Sequence, residues 1–478
     1  MNFPMIIYIL GWILNFEAFF LIIPLVASIG YGENTLFPLL LTIGICIVIG
    51  LPITLRKPKE STLHSRDGYV IVSLSWIVLS AFGALPFVFS GAIPNYIDAL
   101  FETVSGFTTT GATILSDVEA VPKSLLLWRS FTHWVGGMGV LVFIMAFLPL
   151  SGGQNLHIMK AESPGPSVSK LVPRIKTTAL LLYAIYLVMT ALEFVLLLFG
   201  GMSVFDAINT AFATAGTGGF SVRNDGLAGY SDAVRMIVTV FMILFSFNFN
   251  VYFLLLSKKF KDALKVSEVW YYLAIIAAAT AVITVNIKGM FPSVGKAFRN
   301  AIFTVSSMIS STGFTAVDFN LWPELSRTII VLVMFIGACT GSTGGGIKVY
   351  RIVILFKSMG KELHTLIHPK QVKKIRMDSH EIGHEVIRSV NVFMVCFILV
   401  FVISLVCISF EDYDLITNFT AVTTTINNIG PGLDLVGPTS NFGFFSSFSK
   451  IVLIFDMLAG RLELFPMLLL FAPVTWKK

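Results

Sequence analysis

Apolar runs of about 20 residues recur along this chain, and an α-helix needs a run of that length to cross the hydrocarbon core of a bilayer. Only 13% of the residues are charged, whereas soluble domains average about 25%. The sequence therefore predicts an all-α polytopic membrane protein and excludes a soluble globular one. The candidate spans are residues 3–29, 36–55, 68–90, 125–149, 177–200, 233–257, 269–287, 326–356, 388–410 and 448–474.

Basic residues favour one side of these spans. Most of the 33 Lys and Arg residues lie in or near the loops at 56–67, 158–176, 258–268 and 357–388 and at the C-terminus. The positive-inside rule then predicts that the N- and C-termini are both cytoplasmic. Because basic excess in so apolar a chain is typical of cytoplasmic loops, the net charge of +6 does not indicate a nucleic-acid partner. The first run has no basic segment before it, which predicts a retained span and not a signal peptide.

Four segments on the opposite side share one pattern, in which a short apolar stretch of helical character leads into a turn that contains glycine. The stretches are YIDALFETVSGF, VFDAINTAFATA, AFRNAIFTVSSMI and LITNFTAVTTTI, and the turns are TTTGAT (108–113), GTGGFS (216–221), SSTGFT (310–315) and NNIGPG (427–432). A half-helix followed by irregular backbone is typical of a re-entrant loop. Such a loop is tolerated at membrane depth only where it lines a water-filled cavity.

When Gly111, Gly219, Gly313 and Gly430 are aligned, neighbouring patterns are about one hundred residues apart, which indicates an internal repeat. We expect four pseudo-symmetric span–pore helix–filter loop–span repeats around a central pore, preceded by an N-terminal two-helix hairpin. The predicted boundaries are 1–57 for the hairpin and 58–157, 158–266, 267–375 and 376–478 for pore repeats 1 to 4.

The four turns have the composition of an ion-selectivity filter. A permeating ion exchanges its hydration shell for protein oxygens, and rings of backbone carbonyls serve this purpose in potassium channels. Glycine supplies the left-handed dihedrals that such a backbone needs. A single Thr-Gly is usually a helix C-cap, but four copies on one side favour a pore. The candidate filter residues are Thr109, Thr110, Gly111, Thr217, Gly218, Gly219, Ser311, Thr312, Gly313, Asn428, Ile429 and Gly430.

A glycine-rich run, GACTGSTGGGIK (337–348), interrupts the span at 326–356. Each glycine disfavours helix by about 1 kcal/mol relative to alanine. A phosphate-binding loop is not matched, because Ile347 separates Gly346 from Lys348 and no Ser or Thr follows the lysine. The alternatives are a helix kink and an unwound segment that moves as a gate below the filter. The candidate gate residues are Thr340, Gly341, Ser342, Thr343, Gly344, Gly345 and Gly346.

Arg461 lies in the predicted last span, beside Asp456 and Glu463. Because a lone charge at the bilayer centre costs several kcal/mol, Arg461 must face a cavity or a partner. It either pairs with Asp456 or Glu463, or it lines the pore and opposes the passage of cations; both can hold.

The other intramembrane polar residues do not indicate a reaction centre. Glu17 and Glu193 are isolated and are predicted to pack or to lie at an interface, and His133 is predicted to be a hydrogen-bonded core residue. The four cysteines have no C-x-x-C spacing and are predicted to be buried thiols. A membrane enzyme would need clustered catalytic groups, so we expect neither enzymatic activity nor an organic cofactor.

The motifs FETVSGFTTTGAT, SSTGFT, NNIGPG and GACTGSTGGGIKVYR resemble those of the Trk/Ktr/HKT superfamily of potassium transporters, and the resemblance covers essentially the whole chain. The N-terminal hairpin makes the chain most similar to the bacterial TrkH type. This resemblance implies that potassium is transported and bound at the filter residues. It also implies that residues 340–346 obstruct the pore below the filter and that Arg461 matches an arginine in the family's last span.

The resemblance further implies a bacterial inner-membrane location, a homodimer, contact with membrane lipid and a cytosolic nucleotide-binding regulatory subunit of the TrkA type. We expect that subunit to dock on the loops at 357–388 and 158–176. The residues leave open whether transport is passive or coupled to sodium or protons. They also leave open a less selective sodium and potassium pathway, because Gly218 and Ile429 replace Thr in two of the turns.

Overall fold

The computed structural model describes residues 1–59, 62–139, 175–371, 374–378 and 380–476. This part of the chain is mostly helical, as predicted, and its strands Arg376–Met377 and His380–Glu381 form a short antiparallel pair. The α-helices are Phe3–Phe20, Ile22–Tyr31, Leu36–Leu55, Ser65–Gly83, Leu85–Phe89, Tyr96–Phe107, Lys123–Gly137, Ile175–Phe199, Val204–Gly216, Asp232–Phe245, Phe249–Leu256, Phe260–Leu264, Ser267–Ile287, Val294–Ile309, Glu324–Ile336, Val349–Ile367, His384–Ile408, Leu415–Ile426, Ser447–Arg461, Phe465–Phe471 and Pro473–Trp476.

The predicted N-terminal hairpin is formed by Phe3–Tyr31 and Leu36–Leu55. Its turn also fixes the first repeat, because the Glu33 carboxylate accepts hydrogen bonds from the backbone N–H groups of Lys123 (2.7 Å) and Ser124 (3.0 Å). These donors belong to the first turn of a helix and have no partner within it. The hairpin therefore caps a helix of the pore region.

The four predicted half-helices are all present, and we call them pore helices 1 to 4. Each starts at a side chain that accepts a hydrogen bond from the first turn, the usual N-cap arrangement. The pore helices are Tyr96–Phe107, Val204–Gly216, Val294–Ile309 and Leu415–Ile426, and their N-caps are Asn95, Ser203, Ser293 and Asp414.

The helices that follow the pore helices are less continuous than the sequence predicts. The predicted span 233–257 is two helices, Asp232–Phe245 and Phe249–Leu256, that meet at an angle of 88°. The side chain of Asn248 caps the second helix by accepting from the N–H of Asn250 at 3.0 Å. The predicted single span is therefore broken in its middle, because this cap stabilises a new helix start.

The predicted span 448–474 is also broken, after Arg461. Glu463 and Leu464 have φ values of 54° and 67°, which a continuous right-handed helix does not allow. Arg461 therefore ends a helix and does not lie in the middle of one.

The glycine run interrupts the predicted span 326–356 between Ile336 and Val349. The predicted span 125–149 begins as Lys123–Gly137, and residues 140–149 lie outside the described part. Because of these interruptions, six helices of the described chain are long and apolar enough to cross a membrane, or seven if the bent pair counts as one.

Apolar side chains cover the outside as well as the core. The helix His384–Ile408 exposes a stripe of valine, leucine and isoleucine, including Val395, Leu399 and Val402, each more than 45% accessible. A surface of this kind fits hydrocarbon and not water. Cys46 and Cys339 are buried as predicted, whereas Cys396 and Cys407 are half-buried.

Candidate ion pathway

Each pore helix ends in the same backbone turn. In pore helix 1 the N–H of Thr109 donates to the carbonyl of Gly106 at 3.1 Å, and that of Thr110 donates to Ser105 at 2.9 Å. This pair of bonds is the Schellman motif. The other three helices repeat it with N···O distances of 2.8–3.2 Å. The donors there are Thr217 and Gly218, Ser311 and Thr312, and Asn428 and Ile429.

The left-handed position of this motif is usually glycine, but none of these four turns has glycine there. The residues are Thr109, Thr217, Ser311 and Asn428, with φ between 54° and 58°. A non-glycine residue in this region costs of order 1–3 kcal/mol and is typical of functional sites. The surrounding structure must therefore stabilise each turn.

Two residues after each left-handed residue comes the aligned glycine, again with positive φ. The values are 80° for Gly111, 74° for Gly219, 77° for Gly313 and 99° for Gly430. The residue between the two has no positive φ. The backbone thus alternates in handedness over three residues, as expected for a filter in which successive carbonyls point the same way.

The four turns close into a ring. A Cβ atom added to any aligned glycine would lie closer than 3.0 Å to a carbonyl oxygen of the neighbouring turn. That oxygen belongs to the residue just before the aligned glycine of the neighbouring turn. Both the left-handed dihedral and this close approach therefore require glycine. The pairs are Gly111 with Gly218, Gly219 with Thr312, Gly313 with Ile429, and Gly430 with Thr110.

The hydroxyl groups of the ring hydrogen-bond to one another. Thr110 Oγ1 lies 2.8 Å from Thr108 Oγ1, and Thr312 Oγ1 lies 2.7 Å from Ser310 Oγ. The Asn428 amide bridges the last turn to the first by donating to Thr110 Oγ1 at 3.0 Å, and it also donates to the Met457 carbonyl at 2.9 Å. An open cavity of about 170 Å³ lies against all four aligned glycines.

The glycine run packs against the ring. The N–H of Gly345 donates to Ser311 Oγ at 2.5 Å, and a Cβ on Gly344 would lie 2.7 Å from the Ser310 carbonyl. A Cβ on Gly345 would overlap the carbonyl of Asn427. The run therefore lies directly behind the third and fourth turns, and its glycines permit this close approach.

Glu268, a buried carboxylate, anchors both ends of the run. Its Oε1 accepts from the N–H of Thr340 at 2.6 Å and from that of Tyr350 at 3.2 Å. Within the run, the Lys348 ammonium donates to the carbonyl of Gly344. The run also reaches the helix break of the second repeat, where the N–H of Phe249 donates to the Gly341 carbonyl at 3.2 Å.

The Arg461 guanidinium connects three chain segments through backbone carbonyls. It donates to Thr343 in the glycine run at 2.6 Å, and to Gly137 at 2.7 Å and Gly136 at the end of the helix Lys123–Gly137. Its two proposed carboxylate partners are engaged elsewhere: Glu463 pairs with Arg351, and Asp456 accepts from Ser404 at 2.6 Å.

A polar cluster that was not predicted from the sequence lies behind the first and second turns. Glu102 and Arg129 form a buried ion pair at 2.7 Å, and His133 hydrogen-bonds to the backbone of Gly106 in pore helix 1 and of Phe220 in the second turn. Two opposite charges in neighbouring intramembrane segments were a usable signal, because such charges are rarely left unpaired.

Comparisons with known proteins show which family this chain resembles in sequence and in structure. The sequence profile of the family TrkH, cation transport protein, matches residues 39–274 and 269–478. The Trk system potassium uptake protein TrkH of Escherichia coli (strain K12) is 36% identical over 487 residues, and that of Halomonas elongata is 32% identical over 490 residues; both alignments cover 100% of each chain.

The crystal structure of the potassium transporter TrkH from Vibrio parahaemolyticus superimposes with a TM-score of 0.90 at 33% identity and covers 100% of both chains. These relatives are membrane transporters and not enzymes. The chain therefore belongs to the TrkH family of cation transport proteins.

Proposed function

We propose that this chain is the membrane subunit of a potassium uptake system and that potassium crosses the membrane through the ring of four turns. The observation that carries the proposal is the closed ring, in which each glycine faces the carbonyl of its neighbour. Relatives over the full length are named potassium uptake proteins. The residues proposed to bind the ion are Thr109, Thr110, Gly111, Thr217, Gly218, Gly219, Ser311, Thr312, Gly313, Asn428, Ile429 and Gly430.

The pore helices favour a cation at this ring. Each ends immediately before its turn, and a helix C-terminus carries a partial negative charge of about half an electron. Four such ends converge on one region. Backbone carbonyls then replace the hydration shell, which favours an ion that gives up water readily.

Passage is controlled by the glycine run and Arg461. In this proposal residues 340–346 obstruct the pathway behind the ring, and opening separates the run from Ser311 and from Arg461. The hydrogen bonds of Gly345 and Thr343 support this role, because they connect the run to the filter and to the arginine.

The architecture and partners follow the same proposal. The hairpin at 1–57 precedes repeats at 58–157, 158–266, 267–375 and 376–478, and each repeat contains one pore helix and one aligned glycine. The protein lies in the bacterial inner membrane as a homodimer with cytoplasmic termini. Because the relatives belong to a Trk system, the proposal includes a regulatory subunit of the TrkA type that docks on the loops at 357–388 and 158–176. Most of the second loop, residues 158–174, lies outside the described residues.

Selectivity of uptake tests the filter. Gly111→Ser and Gly313→Ser should lower the uptake ratio of potassium to sodium by about tenfold or more, a change of ~1.4 kcal/mol, since the added side chain displaces a neighbouring carbonyl. The assay is growth of uptake-deficient cells at low potassium together with competition between the two ions.

Gly44→Ser is the matched control, because a Cβ at this helical glycine has no neighbour within 4 Å. Unchanged ratios in well-expressed Gly111 and Gly313 variants would contradict the filter assignment.

A further inference from the structure

The helix Lys123–Gly137 places Arg129 and His133 one turn apart on a single face, behind the first two filter turns. Arg129 is 3% exposed and His133 is fully buried. Their partners come from the first turn, the second turn and pore helix 1. The ion pathway described above assigns no role to either residue.

Arg129 and Glu102 connect the segments that leave the first two filter turns. Arg129 Nε donates to Glu102 Oε1 at 2.8 Å, and Arg129 Nη2 lies 2.7 Å from the same oxygen. Arg129 Nη1 donates to the Ser221 carbonyl at 3.3 Å. Glu102 in turn accepts from the N–H of Ile114 at 2.9 Å and from the hydroxyl of Thr113 at 2.9 Å. One buried ion pair thus fixes residues 113–114 at the end of the first turn and Ser221 at the end of the second.

His133 makes a second link closer to the ring. Its Nδ1–H donates to the carbonyl of Gly106 at 2.7 Å, and its Nε2 accepts from the N–H of Phe220 at 3.3 Å. A carbonyl can only accept and an N–H can only donate, so these contacts fix the neutral Nδ1–H tautomer. The ring also stacks on Phe220 with centroids 4.1 Å apart.

This polar arrangement occurs in one repeat of four. In each repeat a helix follows the pore helix, and we compare positions in these helices by counting from the first residue of each. At the positions that match Arg129 and His133, the other three repeats have apolar residues. In the pore helices we compare positions by counting back from the left-handed residue of each turn. At the position that matches Glu102, the other three repeats have an uncharged residue. The counterparts are Val238, Ile330 and Leu453 for Arg129, Met242, Met334 and Met457 for His133, and Thr210, Thr304 and Ala421 for Glu102.

We propose that Glu102, Arg129 and His133 form a brace specific to repeat 1, which sets the distance between the first and second filter turns and so determines how well the ring discriminates potassium from sodium. They are positioning residues that act through the backbone of residues 106–114 and 218–221. The inference rests on the proposed function, because it assumes that the ring is the filter.

The physical argument is the sensitivity of a carbonyl ring to small displacements. Loops packed only through apolar contacts can slide, whereas a charge-assisted guanidinium–carboxylate hydrogen bond fixes direction as well as distance. A buried charge pair is present here although uncharged residues occupy the equivalent positions of the other three repeats. Buried ion pairs are weak contributors to stability but can impose specificity on a structure.

The test converts repeat 1 to the pattern of repeat 3 with the triple variant Glu102→Thr, Arg129→Ile, His133→Met. Removing all three groups leaves no unpaired buried charge. We expect folded protein that transports potassium, with a potassium-to-sodium uptake ratio about tenfold lower than wild type. The ratio is measured by competition in proteoliposomes beside a melting curve.

The matched control is Lys450→Met with Asp98→Asn, which removes an ion pair at the opposite end of pore helix 1. This control should keep the wild-type ratio within about twofold. A folded triple variant with the wild-type ratio overturns the brace, and so does an equal loss of discrimination in the control. A wild-type protein without potassium preference overturns the proposed function instead.

Single variants at His133 keep the test decisive if the triple variant does not fold. Glutamine retains one donor and one acceptor, so His133→Gln should preserve the ratio, whereas His133→Met should lower it. Equal ratios for these two variants overturn the proposal.

Discussion

Arg461 offers a test that separates two effects: the electrostatic effect of its charge, and the hydrogen bond by which it tethers the glycine run. The guanidinium donates to the Thr343 carbonyl at 2.6 Å, and this bond connects the glycine run to the helix Ser447–Arg461. A hydrogen bond to a charged group contributes about 1.5–3 kcal/mol. Removing it should shift the balance between obstructed and open states by about 10- to 100-fold, provided the bond is made only in the obstructed state.

Three substitutions distinguish the two contributions. Lysine keeps the positive charge but loses the planar fork that reaches carbonyls on separate segments, whereas glutamine and alanine lose both. If the tether limits passage, all three variants raise potassium uptake. If the electrostatic barrier limits passage, only glutamine and alanine raise it, because repulsion of a cation at an effective dielectric near 20 amounts to several kcal/mol at close range.

The assay is potassium uptake per folded protein in proteoliposomes that contain this chain alone, with a melting curve for each variant. The bonds to Gly136 and Gly137 predict a lower melting temperature for glutamine and alanine, since these bonds join two helices. A lower melting temperature with unchanged or reduced uptake in all three variants would refute the gating role and leave Arg461 a structural residue.

Further predictions concern the glycine run and the ring. Gly341→Ala should alter the rate of uptake but not selectivity, because alanine is disfavoured at a φ of 70° but its Cβ would meet only Asn248 Oδ1, at an ordinary contact distance of 3.7 Å. Gly345→Ala should alter both, because its Cβ presses on the fourth turn. Equal selectivity in the two variants would argue against this geometry. Glu268→Gln should raise basal uptake severalfold at constant selectivity, since it weakens the anchor of the run; a fall in uptake at normal expression would count against it. Asn428→Leu removes two hydrogen bonds of about 0.5–1.5 kcal/mol each and should lower both selectivity and melting temperature, and a variant that matches wild type in both would contradict the bridging role.

Much of the fold could be predicted because its signals are local. The apolar stretches at 96–107 and 415–426 correspond to pore helices 1 and 4 without a shift, since each is bounded by an N-cap residue and by a polar turn. The aligned glycines could be identified because their backbone conformation excludes other residues.

The break at Asn248 could not be predicted, because no proline or glycine marks it and a tertiary bond from the Phe249 N–H to the Gly341 carbonyl stabilises it. The break after Arg461 does have a local signal, because Pro466 lies at the start of the next helix. His133 was predicted to be a hydrogen-bonded core residue, and the structure agrees. Its position between pore helix 1 and the second turn depends on the packing of separate repeats, which no single stretch of sequence reveals.

The closure of the ring has a consequence for biosynthesis. Asn428 reaches Thr110 across 318 residues, so the first turn meets its last neighbour only after nearly the whole chain has been made. Until then, the carbonyls of the early turns must be satisfied by water or by the insertion machinery, because unpaired polar backbone is costly in hydrocarbon. A chain that stops after its third repeat would therefore carry an unfinished ring with two open edges, and we expect cellular quality control to recognise such a chain as incompletely assembled.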